Sequence, residues 1–201
     1  MSLFRKIFGL KSTPEDNIKS EQRGKYMPEI TLPVDEQFTI NFKANGGKFL
    51  YCENMQEVQS SLKSILLENN WENDKVLMFD ARLEDLFKGF QLEKTKRISE
   101  SSFFFSTCEY LISDDGSLLI SSNQIAEKKL KELPDNFVIY ATTSQFVQNI
   151  GEGLRGIKGK NKDKIPTNIT TIKHFKTIED KDFLTYGSSS KNLYLLLLED
   201  L

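Results

Sequence analysis

Residues 193–198, LYLLLL, contain no polar break. A strand with one wet face alternates apolar and polar residues, so a run without alternation needs cover on both faces. That is the situation of a strand in a parallel sheet flanked by helices. The segments before it fit the same plan. Gly46-Gly47 leads into a short strand at Lys48–Cys52. A helix is expected from about Asn54, with Asn54 and Glu57 as a capping pair and Val58, Leu62, Ile65 and Leu66 at helical spacing. A strand at 76–79 precedes a helix carrying Leu83, Leu86 and Phe87. Further strands are expected at 103–105, 109–112, 118–120, 137–140 and 169–172. After 137–140 the spacing predicts a helix from near Thr143 with Phe146, Val147, Ile150 and Leu154 on one face. Strands alternating with helices define an α/β domain with a mostly parallel sheet.

Charge and cysteine content narrow the function classes. A formal net charge of -2 lacks the basic excess that a nucleic-acid partner requires. Cys52 and Cys108 lie far apart, with no Cys-x-x-Cys spacing, and no signal peptide precedes the domain. A reducing, cytoplasmic setting with two buried thiols is therefore expected. No apolar run approaches the ~20 residues of a membrane span. Residues 1–35 form a separate region in this reading, an amphipathic tail followed by a polar linker, and the domain occupies 36–201. Leu3, Phe4, Ile7 and Phe8 would share one helical face there. Such a face suits peripheral membrane contact or a partner's groove, although a tail this short is also commonly unstructured.

Several clusters could carry chemistry. Gly151-Glu152-Gly153-Leu154-Arg155-Gly156 spells G-x-G-x-x-G. In the dinucleotide fingerprint these glycines open a helix directly after a strand. Here they are expected late in, or just after, the helix that starts near Thr143, as a terminator followed by a loop. Lys158, Lys160, Lys162 and Lys164 suggest a solvated loop or an anion-attracting one. His174, the single histidine, has no nucleophile or metal-ligand spacing around it, so no metal and no cofactor are expected. Thr142, Thr143 and Ser144 follow a strand and begin a helix, where hydroxyls and unpaired amides can cap the helix or hold an anion. Within TCEYLISDDGSLLISS, residues 107–122, two apolar segments meet at Asp114-Asp115-Gly116-Ser117. Asp-Asp-Gly is ordinary turn chemistry, and a carboxylate there could also serve as base or nucleophile.

Taken together, Ile112-Ser113-Asp114-Asp115-Gly116-Ser117-Leu118, the Leu133-Pro134 pair before a strand, and the Gly46-Gly47 start resemble the LUD domain of LutC-type lactate-utilisation proteins. The resemblance covers about residues 38–201. Asp114, Gly116 and Ser117 fall on the acidic, glycine and hydroxyl positions of that family's turn. Lys176, Thr177, Glu179 and Gly187 match its C-terminal signature in order and spacing, while its Gly-Pro-Ser and His-Gly-Pro elements are absent. The chain therefore looks like a divergent, shortened branch. The resemblance implies a fold like the NagB/RpiA/CoA transferase superfamily and an accessory role in lactate or organic-acid utilisation beside iron–sulfur oxidoreductase subunits. It implies a small anionic metabolite held by Asp114, Gly116, Ser117, Thr142, Thr143, Ser144, Lys176 and Thr177. The alternative is a non-catalytic binding or scaffold module that kept the fold and lost the C-terminal ligand loops.

Overall fold

A computed structural model describes residues 32–90, 92–175 and 191–200. The tail residues Leu3, Phe4, Ile7 and Phe8, and the C-terminal signature residues Lys176, Thr177, Glu179 and Gly187, lie outside these described residues. Among the described residues, fifteen α-helices and β-strands follow in order. Helix α1 spans Val34–Ala44, strand β1 Lys48–Cys52, α2 Met55–Glu68, β2 Lys75–Leu77, α3 Ala81–Leu86, β3 Glu93–Thr95, β4 Phe103–Thr107 and β5 Tyr110–Ile112. Then come β6 Ser117–Ile120, α4 Ser122–Ile125, β7 Asn136–Thr142, β8 Phe146–Val147, α5 Ile150–Lys160, β9 Thr170–Ile172 and β10 Asn192–Leu198.

Six strands form one sheet in the order β1-β10-β7-β4-β2-β3, every pair parallel. The unbroken apolar run lies where its composition demands. β10 sits between β1 and β7, and its residues 193–197 are all buried. One sheet face presents Val76, Phe103, Phe105, Val138, Tyr140, Tyr194 and Leu196 to Val58, Leu62, Ile65 and Leu66 of α2. Trp71 stacks on Phe103 at 4.8 Å and Phe87 meets Phe105 edge-on at 4.9 Å. The period of two along each strand sends Phe104, Phe137, Ile139, Leu195 and Leu197 to the other face, where all are buried. Helix α2 starts as its sequence requires. The Asn54 Oδ1 accepts from the Glu57 amide at 3.0 Å, and a Glu57 carboxylate oxygen accepts from the Glu53 amide at 2.9 Å.

A second sheet of four strands, in the order β8-β5-β6-β9, carries the 107–122 hairpin. β5 and β6 pair antiparallel around the Ser113–Gly116 loop, with Ile112 opposite Ser117. Helix α1 packs on β1, β6 and β8 and so touches both sheets. Its Phe38 and Phe42 are fully buried and stack at 5.3 Å.

The segment after β7 differs from expectation. Thr143–Gln145 is a single 3₁₀ turn, not a helix start. Phe146 and Val147 form β8, paired in parallel with Leu111 and Ile112. Tertiary pairing thus overrides a helical spacing that the apolar residues mimic by coincidence. The helix begins only at Ile150, where the Asn149 side chain accepts from the Glu152 amide at 3.0 Å. Ile150 and Leu154 are exposed, and the buried face is Gly153 and Ile157.

That start also corrects the placement of the G-x-G-x-x-G stretch. The glycines stand in the first two turns of α5, and the helix runs on to Lys160 without terminating there. A Cβ on Gly153 would lie 2.9 Å from Leu119 Cδ2, and one on Gly156 would overlap the Tyr110 ring. The glycines let α5 lie flat on the hairpin. The Glu152 and Gly153 amides donate to Asn149, and the Glu152 carboxylate accepts from the Gln148 amide at 3.0 Å.

Candidate functional site

In open α/β sheets ligands bind outside the carboxyl ends of the strands, at the point where strand order reverses. From β2 the chain goes to β3 on one side and then returns to β4 on the other, so the reversal falls between β2 and β4. A cleft of ≈ 460 Å³ opens there. That volume is within the ordinary range for small-molecule sites.

Five segments supply its charged and polar groups, among them the start of α4 with Asn123 and Gln124. After β2, Asp80 caps α3 by accepting from the Arg82 amide at 3.0 Å. It also receives the Arg82 guanidinium, at 2.9 Å on Oδ1 and 2.6 Å on Oδ2, and the Thr107 hydroxyl at 3.0 Å. Burial pushes the Asp80 carboxyl up, but the Arg82 bonds and charge and the Thr107 hydroxyl outweigh it and hold the group below its ordinary value. The Arg82 side chain itself is 71% exposed and lines the cleft. Asp80 therefore fixes a guanidinium that also reaches the Thr107 hydroxyl at 3.4 Å.

After β4, Cys108 and Glu109 line the cleft. Cys108 is almost fully buried, which drives its thiol far above the ordinary range, so it is no nucleophile at neutral pH. Gln145 donates to the carbonyls of Cys108 at 2.6 Å and Glu109 at 3.2 Å, while its own oxygen accepts from the Thr142 amide at 2.8 Å. From the end of α5 come Lys160, whose ammonium lies 4.6 Å from the Tyr110 ring centroid, and the C-cap residue Asn161.

Thr142, the last residue of β7, and Ser144 just after it line the cleft. Their neighbourhood already holds a carboxylate from this chain. Asp200, beyond β10, accepts from the Thr143 hydroxyl at 2.9 Å, the Ser144 amide at 2.8 Å and the Ser144 hydroxyl at 2.7 Å. Partial burial raises the Asp200 carboxyl, yet the Ser144, Thr142 and Thr143 bonds bring it below its ordinary value. The hydroxyl cluster is built for an anion, and the anion it holds is Asp200.

Asp114, Gly116 and Ser117 are not brought to this cleft. They occupy the far end of the hairpin, five residues of chain from Glu109, or ~16 Å at strand rise. Helix α1 engages the turn there. Asn41 donates to the Ser113 carbonyl at 2.8 Å and Asn45 to the Asp115 carbonyl at 2.7 Å. Gly116 adopts φ +66° against the backbone of Asn41 and Phe42. The Asp115 carboxylate accepts from the Ser117 hydroxyl at 2.6 Å, and that of Asp114 from Gln148 at 2.6 Å. His174 is exposed. Among the described residues, no cluster of three or more His, Cys, Asp or Glu side chains could hold a metal ion, and no helix is long and apolar enough to cross a membrane.

Lys160 belongs to the lysine run singled out in the sequence, but it is the last residue of α5 and not part of a loop; Arg82 and Glu109 carry no motif in the sequence. The available signals were positional: Asp80 as a cap three residues past β2, and Glu109 two residues past the end of β4.

A parallel sheet with helices around it and a polar cleft at its switch point places the molecule among open α/β domains. The chain belongs to the LUD domain family, whose family model matches residues 36–198, and is in that sense a lactate-utilisation-related domain protein. A crystal structure of a DUF162 family protein from Deinococcus radiodurans has a similar fold. It is 14% identical with a TM-score of 0.55, over 83% of this chain and 96% of that one. No curated protein matches.

Proposed function

We propose that this LUD-domain protein binds a small anionic metabolite in the cleft between Arg82, Glu109, Ser144 and Lys160, in an accessory role in lactate or organic-acid utilisation. The observation that carries the reading is the cleft's position at the switch point, with an Arg82 guanidinium fixed by Asp80 at its mouth. Arg82 and Lys160 supply charge to a carboxylate or phosphate, and Thr107, Thr142, Asn123 and Asn161 supply neutral polar contacts. Redox steps would belong to iron–sulfur partner subunits in the cytoplasm, because this chain offers two isolated cysteines and no cluster-ligating set.

A second reading is a binding or scaffold module without turnover. Two observations favour it: Asp200 already satisfies Thr143 and Ser144, and α1 occupies the Asp114 turn. Thermal-shift titration with 2-hydroxy acids, sugar phosphates and CoA esters tests the first reading. A ligand at 100 times its Kd stabilises by ~2.7 kcal/mol, which raises the Tm of a domain this size by ~5–10 °C. The shift should fall in Arg82→Gln and Lys160→Gln. A flat response to all three classes leaves the scaffold reading.

A further inference from the structure

Helix α5 leaves two aliphatic side chains in water that its own packing does not use. Gly153 and Ile157 seat the helix on the hairpin, while Ile150 and Leu154 are 48% and 41% exposed. At 3.6 residues per turn, Ile150, Leu154 and Lys158 form one i, i+4 row, and Arg155 stands beside it. The single acid of the helix, Glu152, lies roughly 160° round from Leu154, and its carboxylate is turned back to the Gln148 amide. Lys160 stands over the Tyr110 ring and lines the cleft instead. Past the helix end Lys162, Lys164 and Ile165 are exposed as well, Ile165 at 48%.

The charge here runs against that of the chain. Residues 155–164 hold five basic side chains and one acidic one, in a chain of formal net charge -2. Among the described residues Arg155, Lys158, Lys162 and Lys164 pair with no carboxylate, whereas Lys75, Arg82, Lys88, Lys94 and Arg97 each do. Neither half of this pattern serves folding. A face meant only for solvent gains nothing from exposed Ile and Leu, and a seat for an apolar partner gains nothing from four uncompensated cations. Aliphatic side chains interleaved with lysines and an arginine fit the boundary between lipid headgroups and acyl chains. A nucleic-acid surface would instead offer aromatic rings for stacking, and residues 148–168 contain none.

We propose that this face of α5, with the segment to Ile165, is a docking surface for an anionic bilayer. Ile150, Leu154 and Ile165 enter the headgroup boundary, and the four cations meet lipid phosphates and carboxylates. At 11 residues the helix is ~16 Å long, against the ~30 Å of a hydrocarbon core, so it lies in the plane of the surface and the contact is reversible. Docking there depends neither on what the cleft binds nor on residues 1–11.

Vesicle flotation of the full chain tests this, with phosphatidylcholine alone and with about one-third phosphatidylserine added. The wild type should bind the anionic vesicles about tenfold more tightly at about 0.1 M salt, and lose that preference at about 0.5 M, where the Debye length shrinks to ~4 Å. Arg155→Gln, Lys158→Gln, Lys162→Gln and Lys164→Gln together should remove the preference. Ile150→Ser with Leu154→Ser should weaken binding about tenfold without changing its salt dependence. Leu154→Cys, labelled with an environment-sensitive dye, reports the orientation, because Cys52 and Cys108 are buried and stay unlabelled. Its emission should shift to the blue on anionic vesicles, and that of the same dye on Lys63→Cys, exposed on α2, should not. If the fourfold variant fails to fold, judged by Trp71 emission, the dye at position 154 decides alone. Equal binding of both vesicle types by the wild type overturns the proposal. Undiminished binding after either set of substitutions overturns it as well and leaves the membrane contact to residues 1–11. A dye at position 154 that stays in water does the same. Tighter binding of a single-stranded oligonucleotide than of anionic vesicles overturns it in favour of a nucleic-acid face.

Discussion

Replacing Gly116 by Ala separates the structural role of the Asp114–Ser117 turn from a ligand role. Gly116 has φ +66°, a region where a side chain costs ~1–2 kcal/mol. Its missing Cβ would also overlap the main-chain nitrogen of Phe42 and the carbonyl carbon of Asn41, and would approach Asn41 Cβ at 2.8 Å. Those are backbone atoms of α1, so no flexible side chain can yield. The helix must move off the turn, loosening the Asn41 and Asn45 bonds to it, and overpacking of this kind costs ~1–3 kcal/mol. The combined loss is about 3 kcal/mol, or ~6–12 °C in Tm for a domain of this size. Urea unfolding followed by Trp71 fluorescence measures it, since the chain has a single Trp and its ring is stacked on Phe103 in the core. Gly89→Ala, where a Cβ meets nothing within 4 Å, is the control and should stay within ~0.5 kcal/mol. A Gly116→Ala protein as stable as the control would refute the account of how α1 seats on the hairpin. Loss of ligand binding at unchanged stability would return the site to the turn.

Three other outcomes follow from the same contacts. Gly156→Ala should cost ~1–3 kcal/mol by lifting α5 off Tyr110, measured by the same unfolding assay, and a neutral effect would refute the close packing. Asn54→Ala removes the cap of α2 and should cost about 1 kcal/mol, visible as a lower urea midpoint at unchanged slope. Asp80 has a folded pKa below its unfolded value, so its contribution is present above ~pH 4 and is lost as pH falls through the folded pKa. The stability gap between wild type and Asp80→Asn should therefore be constant from pH 5 to 7 and close progressively in stronger acid, and a gap that widens in acid would refute the assignment.

Where burial dictates composition, the fold was legible in the sequence. The 193–198 run could only be a doubly covered strand, and Asn54, Glu57 and the 58–66 spacing located α2 closely. Elements made by tertiary partners were not legible. β3 is Glu-Lys-Thr, polar and short, and is a strand because β2 lies beside it. β8 is two residues whose strand state comes from β5. Helix α1 was hidden because only Phe38 and Phe42 mark its face amid polar neighbours. For the site, Thr142 and Ser144 were legible from their place at a strand's end. Asp200 as their partner was not, because a contact across 56 residues leaves no local signal. Arg82, Glu109 and Lys160 meet only once the sheet is assembled.

Amide NMR shifts during titration of the ¹⁵N-labelled chain with a small hydroxy acid test the central claim most directly. Perturbations are expected at Arg82, Thr107, Glu109, Ser144 and Lys160, around the carboxyl ends of β2, β4 and β7, with the Asp114–Ser117 amides unmoved. Shifts confined to the Asp114–Ser117 turn, or no saturable shifts at any residue, would contradict it.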